Sequence, residues 1–186
     1  MDRITALRTA ILQNHSKAET KKFLTYQLTK DDIDFIQDAA KDVLRNMPPK
    51  AFNCTQTSAI WAAIIQDHSS IPVSVVCGDL QFLDKNIFVC KEPLPDPKNG
   101  NVINGIWDGH CWLEFGGLIA DASFFRTVYY GEVPKEFKDL VVDKFGEGRG
   151  TMIATPQQME TNGFKYMPKY TLNNLQINGL INGIQL

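Results

Sequence analysis

Three residues far apart in the chain, Cys54, His110 and Asp121, have the types and local settings that nucleophilic acyl chemistry needs. A thiolate attacks a carbonyl carbon and an imidazole takes and returns the proton. A carboxylate fixes the imidazole tautomer and stabilises its charged form. The ordinary thiol pKa of about 8.5 must fall by a few units for a stable thiolate–imidazolium pair, roughly 3–5 kcal/mol of differential stabilisation. A helix N-terminus supplies about 1 kcal/mol of that, so most has to come from His110. The carboxylate orients the imidazole, so its removal is expected to cost the thiolate less than removal of His110 itself.

The first element that must deliver this chemistry begins at the cysteine. Cys54 stands shortly before seven consecutive apolar residues, Ala59 to Ile65. That run is too apolar all round for a surface helix and predicts a buried central one. Asn53 and Thr55 are both candidate N-caps, and either choice leaves Cys54 in the first turn or just before it. There the unpaired N–H groups and the positive end of the helix dipole favour thiolate over thiol.

The second element is a hairpin. His110-Cys111-Trp112-Leu113-Glu114-Phe115 and Leu118-Ile119-Ala120-Asp121-Ala122-Ser123 flank Gly116-Gly117, a two-residue turn signal. That turn pairs Phe115 with Leu118, Glu114 with Ile119, Leu113 with Ala120 and Trp112 with Asp121. Alternation then puts His110, Trp112 and Glu114 on one face with Ile119, Asp121 and Ser123. His110 and Asp121 become diagonal neighbours, at roughly 7–8 Å between backbones. A slip of one residue would separate them.

Around these lies an α+β pattern, helices first and an antiparallel sheet after. Ile4, Leu7, Ile11 and Leu12 space a short helix ending near Asn14, and Phe23 to Leu28 reads as a strand or loop. Thr29 caps an acidic first turn, and Ile33, Ile36, Ala39, Ala40, Val43 and Leu44 trace one helical face up to Pro48-Pro49. Val73–Cys77 and Asn86–Cys90 are β-branched or apolar strand segments, and Lys91 to Gly105 is a proline-rich loop placed to border the site. Arg126 to Tyr130 reads as a strand and Pro134 to Phe145 as an amphipathic helix. Thr151 to Thr155 and Phe164 to Tyr170 read as strands, and the Asn-Gly repeats of the tail as turns.

At 186 residues the chain is expected to form one domain. A net charge of −2 and no basic run beyond Lys21-Lys22 give no support for nucleic acid. No signal peptide or membrane span stands out, so a cytoplasmic location is expected, although export without a cleavable signal stays compatible. The four cysteines, Cys54, Cys77, Cys90 and Cys111, are scattered and read as reduced thiols. A zinc site built from Cys54, Cys77, His110 and Cys111 is disfavoured because His110 and Cys111 point to opposite strand faces.

Four pieces in this order resemble the transglutaminase-like superfamily, which shares the papain-like cysteine-enzyme architecture. They are Cys54 with Ser58-Ala59, Ile71-Pro72-Val73-Ser74-Val75-Val76, Gly109-His110-Cys111-Trp112-Leu113-Glu114, and Ile119-Ala120-Asp121-Ala122-Ser123. The resemblance implies a Cys-bearing helix packed on an antiparallel sheet, with Cys54 as nucleophile, His110 as general base and acid, and Asp121 as orienter. It gives Trp112 and Glu114 supporting places, and Asn53 one beside the nucleophile. Ser123 and Ala122 stand where the family often has threonine and proline, and Cys111 beside His110 is unusual. No acidic cluster resembles the calcium sites of animal tissue transglutaminases, so neither metal nor cofactor is implied. The implied reaction is acyl chemistry on a peptide or protein substrate, or on a small amide, with hydrolysis favoured over transfer. A catalytically inactive binding module is the alternative. An arylamine N-acetyltransferase is less favoured, since the Arg-Gly-Gly such enzymes carry before their cysteine is missing.

Overall fold

Ser74 to Phe82 forms the central strand, β1, of an open sheet whose every pairing is antiparallel. The structure is a computed structural model of the chain that describes residues 2–97, 102–103 and 107–184. One edge of β1 pairs β6 (Phe164–Thr171). The other edge pairs β3 (His110–Phe115) with its first half and β2 (Lys85–Phe88) with its second. Beyond β3 come β4 (Leu118–Asp121) and β5 (Met152–Ala154). Gly78 lies at a bulge opposite β6, and a Cβ there would stand 2.0 Å from the Met167 carbonyl oxygen and 3.1 Å from the Trp112 ring. Only glycine lets these strands close up behind His110.

The pleat sends side chains alternately to two cores. Val75, Cys77, Cys111, Leu113 and Phe115 face one of them, covered by α3 (Lys30–Asn46), α4 (Cys54–His68) and α8 (Asn174–Asn182). Val76, Leu80, Phe82, Trp112 and Ile119 face the other. Side chains of α1 (Arg3–Ile11), α2 (Lys17–Thr25), α5 (Phe124–Tyr130), α6 (Lys135–Phe145) and α7 (Pro156–Thr161) complete that core. The result is α+β, with eight helices among the described residues. None of the described helices is long and apolar enough to cross a membrane.

The structure corrects the expected elements at three places. Phe23 belongs to α2, nucleated by a capping box between Ser16 and Glu19, rather than to a strand or loop. Arg126 to Tyr130 is helical rather than a strand. The Arg126 guanidinium donates to the carbonyls of Leu44, Met47 and Pro48, so α5 satisfies the end of α3. The Asn-Gly tail forms α8, capped reciprocally by Asn173 and Gln176. Its Gly179 lets Pro97 and Ile103 pack close, at 3.0 Å from where a Cβ would lie. Residues 98–101 and 104–105 of the Lys91–Gly105 loop lie outside the described residues. Its described part is tied down by Leu94, whose N–H donates to Tyr170 Oη at 2.7 Å and whose carbonyl accepts from Gln176 Nε2 at 2.7 Å.

Candidate active site

Cys54 is the first residue of α4, where the free N–H groups of the first turn face the thiol's end of the helix. Asn53 begins the helix with its backbone, the carbonyl accepting from Thr57 N–H at 3.0 Å. Its side chain does not cap, contrary to expectation, and Thr55 lies inside the helix. The reason is the residue before it. Phe52 sits at φ 58, which swings the chain into α4 and leaves Asn53 at φ −108, ψ 27, outside the extended geometry of a side-chain cap. Asn53 Oδ1 is buried without a hydrogen-bond partner.

The hairpin has the expected register, Leu113 opposite Ala120 and Phe115 opposite Leu118. Gly116 and Gly117 take φ 50 and φ 79, as the mirror-image turn requires. His110 Nε2 and Asp121 Oδ2 lie 2.6 Å apart, both side chains fully buried. Asp121 is saturated from every side. Its Oδ1 accepts from the N–H groups of Ser123 and Phe124, at 2.8 and 3.0 Å, and from Ser123 Oγ at 3.0 Å. Its Oδ2 accepts from Tyr166 Oη at 2.8 Å as well as from His110. One oxygen thus caps the start of α5 while the other holds the imidazole.

Burial would raise the Asp121 pKa, but the charge and hydrogen bond of His110, with the Ser123 and Tyr166 donors, hold it down at about 2. Burial would likewise lower His110. The Asp121 carboxylate overcomes it, with help from the Cys54 sulfur, and the imidazole is raised to about 10. The Cys54 thiol is held well below its ordinary value, first by a hydrogen bond from the Cys111 thiol and then by His110, against burial. Cys111 is pushed the opposite way, by burial and by its neighbours Cys54 and Cys77. With Nε2 engaged by Asp121, Nδ1 is the nitrogen left for the thiol. Nδ1 is buried without a hydrogen-bond partner, and the Cys54 thiol itself lies 4.0 Å from the Gly109 carbonyl oxygen.

Behind the imidazole lie Trp112 and Glu114. Trp112 Nε1 donates to Glu114 Oε1 at 2.8 Å, and the Trp112 ring lies nearly parallel to the imidazole, centroids 6.2 Å apart. Glu114 pairs with Arg3 from α1, so the N-terminal helix is pinned to the strand that carries His110. Burial raises the Glu114 pKa against the pull of Arg3 and Trp112. A raised carboxyl pKa means the folded state keeps a proton the unfolded chain releases, so this group's stabilisation falls as pH rises. Arg3→Ala should therefore destabilise the fold by up to about 3 kcal/mol at pH 7. Part of the loss should be recovered as pH falls and Glu114 takes up its proton; denaturant titrations across acidic and neutral pH measure it, and a pH-independent loss would contradict this account.

Four residues of this site escape a sequence reading. Tyr166 reaches Asp121 only because β6 pairs β1, a long-range choice with no local signal. Phe88 stacks on His110, centroids 4.7 Å apart and rings within 18° of parallel. Cys111 lies against Cys54 and 2.9 Å from Cys77 Sγ. Trp107 packs over Gly109, where a Cβ would stand 2.1 Å from its ring. The Gly-His pair was a legible hint of that close approach.

Among the described residues no group of three or more His, Cys, Asp or Glu side chains is arranged to hold a metal ion. Compared with known proteins, the chain matches no family model, no curated protein and no solved structure.

Proposed function

We propose that the chain is a cysteine-dependent enzyme of transglutaminase- or papain-like architecture, acting on an amide or related acyl group through a Cys54 acyl intermediate. The observation that carries this reading is the buried His110–Asp121 pair, whose remaining imidazole nitrogen is left for a thiol at a helix start. Cys54 thiolate adds to the carbonyl carbon, and the backbone N–H of Cys54 is one donor for the oxyanion. Protonated Nδ1 gives its proton to the leaving amine as the carbon–nitrogen bond breaks. Water then attacks the thioester while Nδ1 takes its proton, and the acid leaves with the thiolate restored. Hydrolysis needs no second substrate site and is the favoured outcome, with a peptide or protein as the favoured substrate. Asp121 keeps Nε2 protonated throughout and stabilises the imidazolium.

The test is iodoacetamide labelling across pH, read site by site by mass spectrometry. Cys54 should label fastest of the four cysteines at mildly acidic pH, its rate rising through a midpoint well under the ordinary thiol value of about 8.5. Cys90 and Cys111, both raised by burial, should stay slow. Equal rates at Cys54 and the other thiols would defeat the proposal. A binding module that keeps the triad without turnover is favoured by one observation, the burial of the site, with Cys54 only 6% exposed. Fast labelling at Cys54 would exclude a sealed site.

A further inference from the structure

Beside the candidate triad lies a cavity of about 580 Å³, within the range of small-molecule sites. Phe82, Phe124 and Phe137 make its floor, in mutual ring contact. Phe88 is shared with the catalytic pair, since it lines the cavity and stacks on His110. Phe52, two residues before Cys54, lines it from the other side. Charges (Lys85, Glu132 and Glu136) are exposed residues of its lining. The polar side chain Thr127 is already engaged with the Phe52 N–H.

The backbone at its mouth carries a second, independent signal. Of the exposed large apolar residues described, three line this one cavity: Phe52, 63% exposed, with Leu83 and Leu140 at 41% each. Two of them, Phe52 and Leu83, are also held at φ 58 and φ 47, where only glycine and asparagine sit without penalty. Leu83-Asp84 forms the two-residue turn between β1 and β2, with both residues at positive φ. Such a turn calls for Asn-Gly, so an exposed leucine there costs stability twice, through backbone strain and through solvated apolar surface. The Leu83 N–H is held by the Gly163 carbonyl at 2.8 Å, while its side chain reaches over Gly163 and lines the cavity.

We infer that this cavity is the specificity subsite of the enzyme and takes an aromatic or large aliphatic side chain flanking the carbonyl that Cys54 attacks. The inference rests on the proposed function, because it is the catalytic pair that fixes where that carbonyl lies. A carbonyl held between Cys54 and His110 leaves its neighbouring side chain beside Phe52 and Phe88, with apolar floor beyond and no buried charge to meet. An acidic or basic side chain would lose its hydration there without a partner.

Two reagents separate the subsite from the nucleophile. Iodoacetamide reads Cys54 alone, and chloromethyl ketones of N-acetyl-phenylalanine and N-acetyl-aspartate add the side chain. With the wild-type protein the phenylalanine reagent should alkylate Cys54 about tenfold or more faster than the aspartate reagent, each rate taken relative to iodoacetamide. Leu83→Asn, which suits the turn and takes the apolar side chain out of the cavity, should reduce that preference. Val133→Trp, which fills the mouth from a half-buried position, should reduce it further. Fast iodoacetamide labelling with no preference between the two ketones would overturn the subsite and leave the proposed function standing. A preference untouched by Val133→Trp in a folded protein would also overturn it. Slow labelling of Cys54 by every reagent would remove the proposed function and the subsite together.

Discussion

Replacing His110 with alanine is expected to slow alkylation of Cys54 at pH 6 by about two orders of magnitude. The wild-type thiol is held well below its ordinary value by Cys111 and His110, so it is more ionised there than an ordinary thiol. An ordinary thiol with a pKa of about 8.5 is ionised at pH 6 to only about one part in 300. Loss of intrinsic nucleophilicity with falling pKa offsets some of that ratio, so the midpoint of the rate–pH curve is the cleaner reading. It should move up in the variant toward the ordinary value, held short of it by the Cys111 donor. Alanine also leaves Asp121 buried without its cation, which endangers the fold. His110→Gln retains a donor for Asp121 Oδ2 and no charge, and should show the same midpoint in a folded protein. An unmoved midpoint in either folded variant would show that the imidazole does not govern the thiol.

The parts of this molecule that could be read from sequence are those fixed by short-range chemistry. The β3–β4 register follows from two glycines and a period of two, and it alone brings His110 to Asp121. The α3 face and the buried run of α4 follow from apolar spacing. Elsewhere tertiary contacts outvoted local signals. Phe124 to Tyr130 has strand-like composition, yet Asp121 satisfies its first N–H groups and Arg126 bonds the end of α3, so it coils. Asn-Gly pairs signal turns, but Gly179 serves a close helix–loop contact inside α8. The Ser16–Glu19 capping box of α2 was legible, and the weak apolar alternation of Phe23 to Leu28 masked it. One oxygen of Asp121 accepts from the start of α5 while the other holds the His110 imidazole.

Asp121→Asn should cost about 10⁴ in turnover of an activated ester such as a p-nitrophenyl acyl ester, and for a reason of tautomer more than of packing. Oδ1 of residue 121 accepts two backbone N–H groups, so the asparagine must keep its oxygen there. Its NH₂ then occupies the place of Oδ2 and faces His110 Nε2 and Tyr166 Oη as a donor. Two donors cannot meet, so the imidazole must move its proton to Nδ1 and accept at Nε2. Nδ1 then offers Cys54 a hydrogen and no lone pair, and the general base is lost. The charge is lost as well. Asp121 is what raises His110 to about 10 against full burial, so the imidazole of the variant should fall below its ordinary pKa and stay neutral at pH 7. The Cys54 midpoint should then rise nearly as far as in His110→Ala, more than a merely orienting carboxylate would allow. Stability should drop by about 1.5–3 kcal/mol at pH 7, the worth of a hydrogen bond to a charged group. Its pH dependence should change with a defined sign. Asp121, depressed to about 2, contributes stability above its unfolded pKa that fades as pH falls toward 2. His110, raised to about 10, contributes stability that fades as pH rises from about 6.5 toward 10. These are one ion pair seen from both ends, and the asparagine variant should lose both limbs together in denaturation curves run from pH 3 to pH 10. Retention of ester turnover within tenfold of wild type, in a protein that has lost both limbs, would show that Asp121 holds the fold without serving the chemistry.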